Sequence, residues 1–224
     1  MNDDKSKSIE LAKEAIKQSF EAAKEFVGKL VNPALEEGGG IIQDTIKFWR
    51  FKNQVNIILK AKKFLEENGI EPTKVLPKTL VSILENGSLE EDTTIQDKWA
   101  ALLANAADPN KRYSVKPSFA EILKELSPLE VILLDKIFDE ANQNENPNKV
   151  EIFFDKEKIC QNFQIDKNQF DIIADNLFRL NLCQPPASFG GVRIGEYPVQ
   201  LRTYKLIGFT QLGYEFVGSC RFEK

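Results

Sequence analysis

Ile95-Gln-Asp-Lys-Trp99-Ala-Ala-Leu-Leu-Ala-Asn-Ala-Ala-Asp-Pro109 is the stretch whose reading decides the fold class. One Trp and two Leu stand among Ala and Asn, and Ile95, Trp99, Leu102 and Ala106 recur at helical spacing. Ala and Leu are the strongest helix formers, and that periodicity buries one stripe. Small residues beside a single indole let a second helix approach closely while the ring fills the gap. Trp99 is therefore expected as a core anchor, in a helix ending before Asp108-Pro109. The stretch holds no nucleophile, base or ligand cluster.

Working outward, Ile9, Ala12, Ile16, Phe20, Ala23, Val27 and Leu30 repeat at three- and four-residue steps. They predict a helix over residues 9–31, ended by Asn32-Pro33 because proline disfavours a helical residue before it. Gly38-Gly-Gly40 reads as a joint and lacks the Gly-Lys-Ser/Thr ending of a phosphate loop. A second helix is predicted over residues 41–68, with Phe48, Phe51, Val55, Ile58, Lys62 and Leu65 on one stripe and Gly69 as its stop. Pro77 starts a short helix that stops at Asn86-Gly87. Ser88 with Glu91 predicts a capping box opening the Trp99 helix. Glu90, Glu91 and Asp92 then fall in its first turn, where acids complement the helix dipole. Another short helix starts at Pro117 or Ser118, and Ser127-Pro128-Leu-Glu130 predicts a second capping box for a helix to about Asn142.

The polar stretch Asn142-Gln-Asn-Glu-Asn-Pro-Asn148 reads as a domain boundary. It divides a helical region, residues 8–142, from a second domain, residues 149–222. Beyond it a strand is predicted over residues 150–154. Asp155 caps a short helix through Phe163, and Asp166 caps another to about Leu180. Strands follow around residues 182–188 and 198–207, joined across Gly190-Gly191, and Thr210 caps a final helix through Cys220. That order is winged-helix-like. The expected fold class is thus mainly α: an N-terminal multi-helix region followed by a winged-helix-like α/β C-terminal domain.

The chain has 224 residues, enough for a full core, and a net charge of −4 that disfavours a generic nucleic-acid binder. It contains no histidine, which removes His-based triads, acid–base catalysis and metal sites. Cys160, Cys183 and Cys220 are too far apart for a zinc motif and are expected as buried, reduced thiols. Glu36-Glu37, Glu66-Glu67 and Glu90-Glu91-Asp92 lie at helix ends or first turns, with no second group converging on them. No catalytic residue, metal, cofactor or small-molecule substrate is expected. The opening Met1-Asn-Asp-Asp-Lys is acidic and lacks an apolar signal region, and no stretch approaches the length of a membrane span, so a cytoplasmic location is expected.

What remains are surfaces. Ile16, Phe20 and Val27 on the first helix, with Trp49 and Arg50 on the second, form the candidate interaction surface for a protein partner or for self-association. The aromatic–basic run Phe48-Trp49-Arg50-Phe51-Lys52 reads mainly as core packing, and Lys60, Lys62 and Lys63 as a solvated face. Membrane association through residues 9–31 is an alternative, weakened because its acids and bases nearly cancel. In the second domain Phe170, Ile173, Ala174, Leu177 and Leu180 face inward, and Asp171, Asp175 and Arg179 form an outward stripe. Two carboxylates there oppose DNA phosphates, and Asp175 is spaced to pair with Arg179. The DNA-binding alternative rests on Arg179, Arg193, Arg202 and Lys205.

The Trp99 stretch has company in a recognisable order. Gly40-Ile-Ile-Gln-Asp-Thr-Ile-Lys-Phe-Trp49-Arg-Phe-Lys-Asn53 leads into Ala61-Lys-Lys-Phe-Leu-Glu-Glu-Asn-Gly69-Ile70 and Val75-Leu-Pro77-Lys. Downstream come Phe119-Ala-Glu-Ile-Leu-Lys-Glu-Leu-Ser127-Pro128 and Phe209-Thr-Gln-Leu-Gly213-Tyr-Glu-Phe-Val-Gly-Ser-Cys220. Together, over roughly residues 10–220, this pattern resembles the Abi-alpha (abortive-infection alpha) family of bacterial proteins. The resemblance implies antiviral, abortive-infection-type phage defence and carries no catalytic residues with it.

Overall fold

The computed structural model describes residues 2–31, 48–112, 114–186 and 205–222. Two compact units emerge: Met1–Glu125 with Ser219–Lys224, and Leu126–Gly218. Among the described residues the chain is mainly helical, with one small antiparallel sheet in the second unit.

The first unit contains α1 (Asn2–Leu30), α2 (Phe48–Glu67), α3 (Pro77–Gly87), α4 (Thr93–Ala107) and α5 (Pro117–Leu123). Helix α2 packs against α1, α3 and α4, and α3 and α4 both meet α5. Helix α4 is the Trp99 stretch. Every residue from Trp99 to Ala107 is buried, with Trp99 itself 1% exposed, so its alanines face close neighbours on every side. Gly87 ends α3 against this core, where a Cβ would stand 2.9 Å from Ile57 Cδ1 and 3.1 Å from Trp99 Cγ.

Polar ends are satisfied locally. Gly69 takes φ +63° after α2, and Gly69 N and Ile70 N donate to Glu66 O (3.1 Å) and Leu65 O (2.9 Å). This Schellman pattern needs a residue without a Cβ penalty. Between helices, Gln54 Nε2 donates to Leu84 O at 3.0 Å, and Thr73 N to Ala107 O at 2.7 Å. The cap of α4 differs from the sequence expectation. Ser88 Oγ donates back to Glu85 O at 2.6 Å, and the N-cap is Asp92, whose Oδ1 accepts from Thr94 N (2.8 Å) and Ile95 N (3.1 Å). The acids thus precede the helix; Glu90 Oε1 accepts from Asp92 N at 2.8 Å.

The second unit begins with α6 (Pro128–Gln143), opened by the expected capping box between Ser127 and Glu130. The stretch 142–148 that reads as a boundary lies within this unit. It forms successive Asx turns, with Asn146 N on Asn144 Oδ1 (2.9 Å) and Asn148 N on Asn146 Oδ1 (2.8 Å). Lys149–Glu151 wind into a 3-10 turn, so β1 (Phe153–Asp155) starts later than the expected strand. Helices α7 (Lys156–Phe163) and α8 (Lys167–Arg179) follow, capped by Asp155 and Asp166 as expected. Then come β2 (Cys183–Gln184), β3 (Leu206–Phe209) and α9 (Gln211–Ser219). Strand β2 is shorter than expected because Pro185 and Pro186 have no N–H to donate. The expected turn at Gly190-Gly191 lies outside the described residues.

The sheet order is β1–β3–β2, both pairs antiparallel, with Phe153 opposite Gly208 and Cys183 opposite Phe209. Phe138 of α6 stacks on Tyr214 of α9 at 4.8 Å between centroids, and Phe209 of β3 meets both rings edge-on. Helix α9 starts directly on the backbone of Leu182. Thr210 N donates to Leu182 O at 3.0 Å, and Thr210 Oγ1 accepts from Gly213 N at 2.9 Å, the cap expected from the sequence. A Cβ on Gly213 would lie 1.8 Å from Leu182 O.

That approach is backbone against backbone and has no flexible side chain to yield. Gly213→Ala is therefore expected to destabilise the second unit by roughly 3 kcal/mol. Gly28→Ala, in α1 where nothing lies within 4 Å of the added Cβ, is expected to stabilise by about 0.5–1 kcal/mol. Urea unfolding of the two variants beside the parent checks both signs.

Candidate interaction surface

Helix α1 carries one apolar stripe through two environments. At its C-terminal end Ala23, Phe26, Val27 and Leu30 are buried, on the helix that packs along α2. Leu30 O also accepts from Val75 N at 3.0 Å, and Val31 O accepts from Lys74 Nζ. Toward the N-terminal end the same stripe faces outward, with Ile16 64% exposed and Phe20 half-buried. Leu11, 71% exposed, lies about 140° around the helix from Ile16, with the exposed Ala15 between them on the wheel. The charged residues Glu10, Lys13, Glu14, Lys17 and Glu21 occupy the opposite arc and are exposed.

Of the five residues singled out from sequence, Val27 belongs to the core and not to an exposed surface. Ile16 is exposed, Phe20 intermediate and Val27 a core residue. The side chains of Trp49 and Arg50, in the first turn of α2, lie outside the described set. Sequence reading missed Leu11 because the repeat was drawn along the Ile9–Ile16 line; its wheel position was the available signal.

In the second unit, Phe170, Ile173, Ala174 and Leu177 of α8 are buried as expected, while Leu180 is half-buried. The expected outward stripe needs correction at Asp171. Its Oδ1 accepts from Lys156 Nζ at 2.6 Å, and Lys156 is only 4% exposed. The ammonium also lies 5.3 Å from the Phe170 ring centroid. Asp171 thus faces α7, and the exposed positions of α8 are Lys167, Asn168, Gln169, Ile172, Asp175 and Arg179. Arg179 donates from Nε (3.1 Å) and Nη2 (2.8 Å) to Asn176 Oδ1. Asn176 Nδ2 in turn donates to Glu130 Oε1 at 2.8 Å, and Glu130 Oε2 accepts from Ser127 N at 2.7 Å. The guanidinium is thereby tied to the capping box of α6. Lys205 is exposed, with its carbonyl held by Lys156 N at 3.0 Å. Arg193 and Arg202 lie outside the described residues.

The ionisable groups are engaged locally. Burial pushes the Cys183 thiol well up, and it also raises Cys160, so both stay protonated. Cys160 is only half-buried, unlike Cys183 and Cys220. Lys124 and Ser82 hold the Glu121 carboxyl below its usual range, and Lys167 does the same for Glu157. Glu66 and Glu67 pair with Lys62 (3.3 Å) and Lys63 (3.7 Å) one turn away, and Lys60 pairs with Asp97. Among the described residues no group of three or more His, Cys, Asp or Glu is placed to hold a metal ion. Nor, among them, is any helix long and apolar enough to cross a membrane.

Comparison with known families adds the class. A family model described as abortive infection alpha matches residues 51–220, more than half of the chain, and the chain belongs to that family. No curated protein and no solved structure matches it. The match begins at Phe51, so α1 precedes the matched region, although the motif resemblance reached back to about residue 10.

The Lys156–Asp171 pair is the strongest electrostatic commitment on α8. Lys156→Met strands a partly buried carboxylate and is expected to cost about 3 kcal/mol, the low end for breaking a buried pair because Asp171 keeps some water. Adding Asp171→Leu is expected to recover most of that loss. Urea midpoints of the single and double variants decide it; a double variant no better than the single one would refute the reading.

Proposed function

We propose that this abortive infection alpha protein serves bacterial phage defence, and that it works by contact with another protein or a second copy of itself instead of by catalysis. Family membership supports the phage-defence class. The contact mechanism is carried by α1, whose apolar stripe is buried along one half and presents Ile16 to solvent along the other. Isolated apolar side chains on a surface are ordinary. A stripe that continues a core seam outward along one helix is the form that helix-mediated recognition takes.

A second reading concerns the second unit. The order α6, β1, α7, α8, β2, β3 with an antiparallel β1–β3–β2 sheet supports a winged-helix arrangement. In it α8 would be the recognition helix. The chemistry of α8 favours protein over DNA, since Ile172 is 71% exposed beside an exposed Asp175, and Arg179 is tied to Asn176. Fold alone does not decide between them.

Phage plating on cells carrying the gene, scored for plaques and for culture survival at low and high phage dose, tests the class. Protection at low dose with loss of infected cells is the expected outcome, and no protection across a varied phage panel counts against it. Ile16→Asp, at an exposed position, is expected to abolish protection while leaving stability within about 0.5 kcal/mol of the parent; full protection by a well-expressed variant would remove α1 from the mechanism. Dye release from anionic vesicles that depends on residues 9–31 would transfer that role to a lipid surface. Salt-sensitive duplex retardation lost in an Arg179→Ala/Arg202→Ala variant would establish the DNA-binding reading, and no retardation at low salt would eliminate it.

A further inference from the structure

The outer half of α1 sorts its charges by sign. Between Glu10 and Gln18 every described side chain is exposed, all round the helix. On the helical wheel Leu11 and Ile16 mark the edges of an apolar arc about 140° wide, with Ala15 inside it. Beyond the Ile16 edge come Lys13 and Lys17, about 60° and 100° further round. Beyond the Leu11 edge come Glu14 and Glu10, at the same two steps. Gln18 stands between Leu11 and Glu14, and its Nε2 donates to Glu14 Oε1 at 3.4 Å. One border of the arc is thus basic and the other acidic. Elsewhere in the chain opposite charges four residues apart pair along their own helix, as Glu25 does with Lys29 (3.4 Å), Lys62 with Glu66 (3.3 Å) and Lys136 with Glu140 (3.6 Å). In the outer half of α1 the residues four apart are alike, Glu10 with Glu14 and Lys13 with Lys17. Opposites three apart, Glu10 with Lys13 and Glu14 with Lys17, offset that cost within the helix. What the segregation adds is a direction for a partner.

An apolar arc with one basic and one acidic border is complementary to itself in a single orientation. When two such helices lie side by side in the same direction about a two-fold axis, the basic border of each meets the acidic border of the other. Laid antiparallel about a two-fold, lysine borders lysine and glutamate borders glutamate. Flanking charges of this kind set partner choice and orientation in helix pairs. We propose that α1 pairs in parallel with α1 of a second copy of this chain. Leu11, Ala15 and Ile16 close the apolar arc, and Lys13 and Lys17 lie against the acidic border of the second copy. The pairing rests on the contact role proposed for α1 and names its partner. The borders also make it selective, because a foreign helix with both borders of one sign meets repulsion along one side.

Sedimentation equilibrium of the full chain at low ionic strength, carried to millimolar protein, tests the pairing. The parent is expected to form dimers that dissociate as salt screens the borders. Lys13→Glu/Lys17→Glu makes both borders acidic, and Glu10→Lys/Glu14→Lys makes both basic. Each double variant is expected to raise the dimer dissociation constant about tenfold. The second separates border contacts from general repulsion: it takes the net charge from −4 to zero, which would strengthen any association limited by overall charge. Carrying all four reversals exchanges the borders and is expected to restore the parent constant. All four positions are exposed, so the core is untouched. A parent monomeric throughout that range, or one constant shared by the parent and both double variants, overturns the pairing. An antiparallel pair gives the second of these results, since each reversal there replaces one like-charged border contact by another. The contact role is read separately. If the parent is monomeric while Ile16→Asp still abolishes protection, the second copy is excluded and α1 acts on a different protein; retained protection in Ile16→Asp removes the contact role itself.

Discussion

The helical unit depends on the enclosure of α4. An amphipathic helix needs one covering neighbour, but a helix buried around its circumference needs them on every side. The sequence meets that demand by keeping α4 thin: alanine at five positions between Trp99 and Ala107, and one large ring to fill the space that thinness leaves. Removing a side chain of that size from water contributes roughly 4–6 kcal/mol before any entropy is counted against it. Neighbours then have to come close, and glycine at the end of α3 is what permits it. The main-chain bonds from Thr73 and the amide of Gln54 follow from the same closeness, since polar groups trapped between tightly packed helices must find partners there.

Much of this was legible in the residues, and the legible part has a common cause. Helix starts at Pro77 and Pro117, the Ser127–Glu130 and Asp166 caps, the Gly69 stop and the Thr210 cap are all decided within a few residues of chain. So is the inward face of α8. The failures also share a cause. Ser88 and Asp92 both offered side-chain oxygens for the start of α4, and the choice turned on where the Ser88 hydroxyl goes, back onto Glu85 O. Periodicity gave the direction of the α1 stripe but not how far a neighbour extends along it, which is why Val27 and Ile16 have different fates on one line. The Lys156–Asp171 pair spans two helices and is set by their docking, so no local rule announces it. Family order added what composition could not, a biological class without a mechanism.

In the second unit, charge is used inward. Lys156, Asp171, Asn176, Arg179 and Glu130 are bound up in two short chains of polar contacts that orient α8 against α7 and α6. On α8 Arg179 is held on Asn176 and Lys167 on Glu157, while Ile172 stands exposed among polar neighbours. In the first unit Asp92 caps α4, and Glu66 and Glu67 pair with lysines one turn away.

The amide of Asn105 reaches carbonyls 114 and 116 residues further along the chain. During synthesis, at about 5–20 residues per second, α4 leaves the ribosome on the order of ten seconds before those carbonyls exist. For that interval α4 must wait with the buried amide of Asn105 lacking these partners. Contacts of such sequence separation are slow to close and come late. The helical unit thus takes its last contacts late, and a nascent chain stalled before Arg221 would hold α4 without both of these bonds.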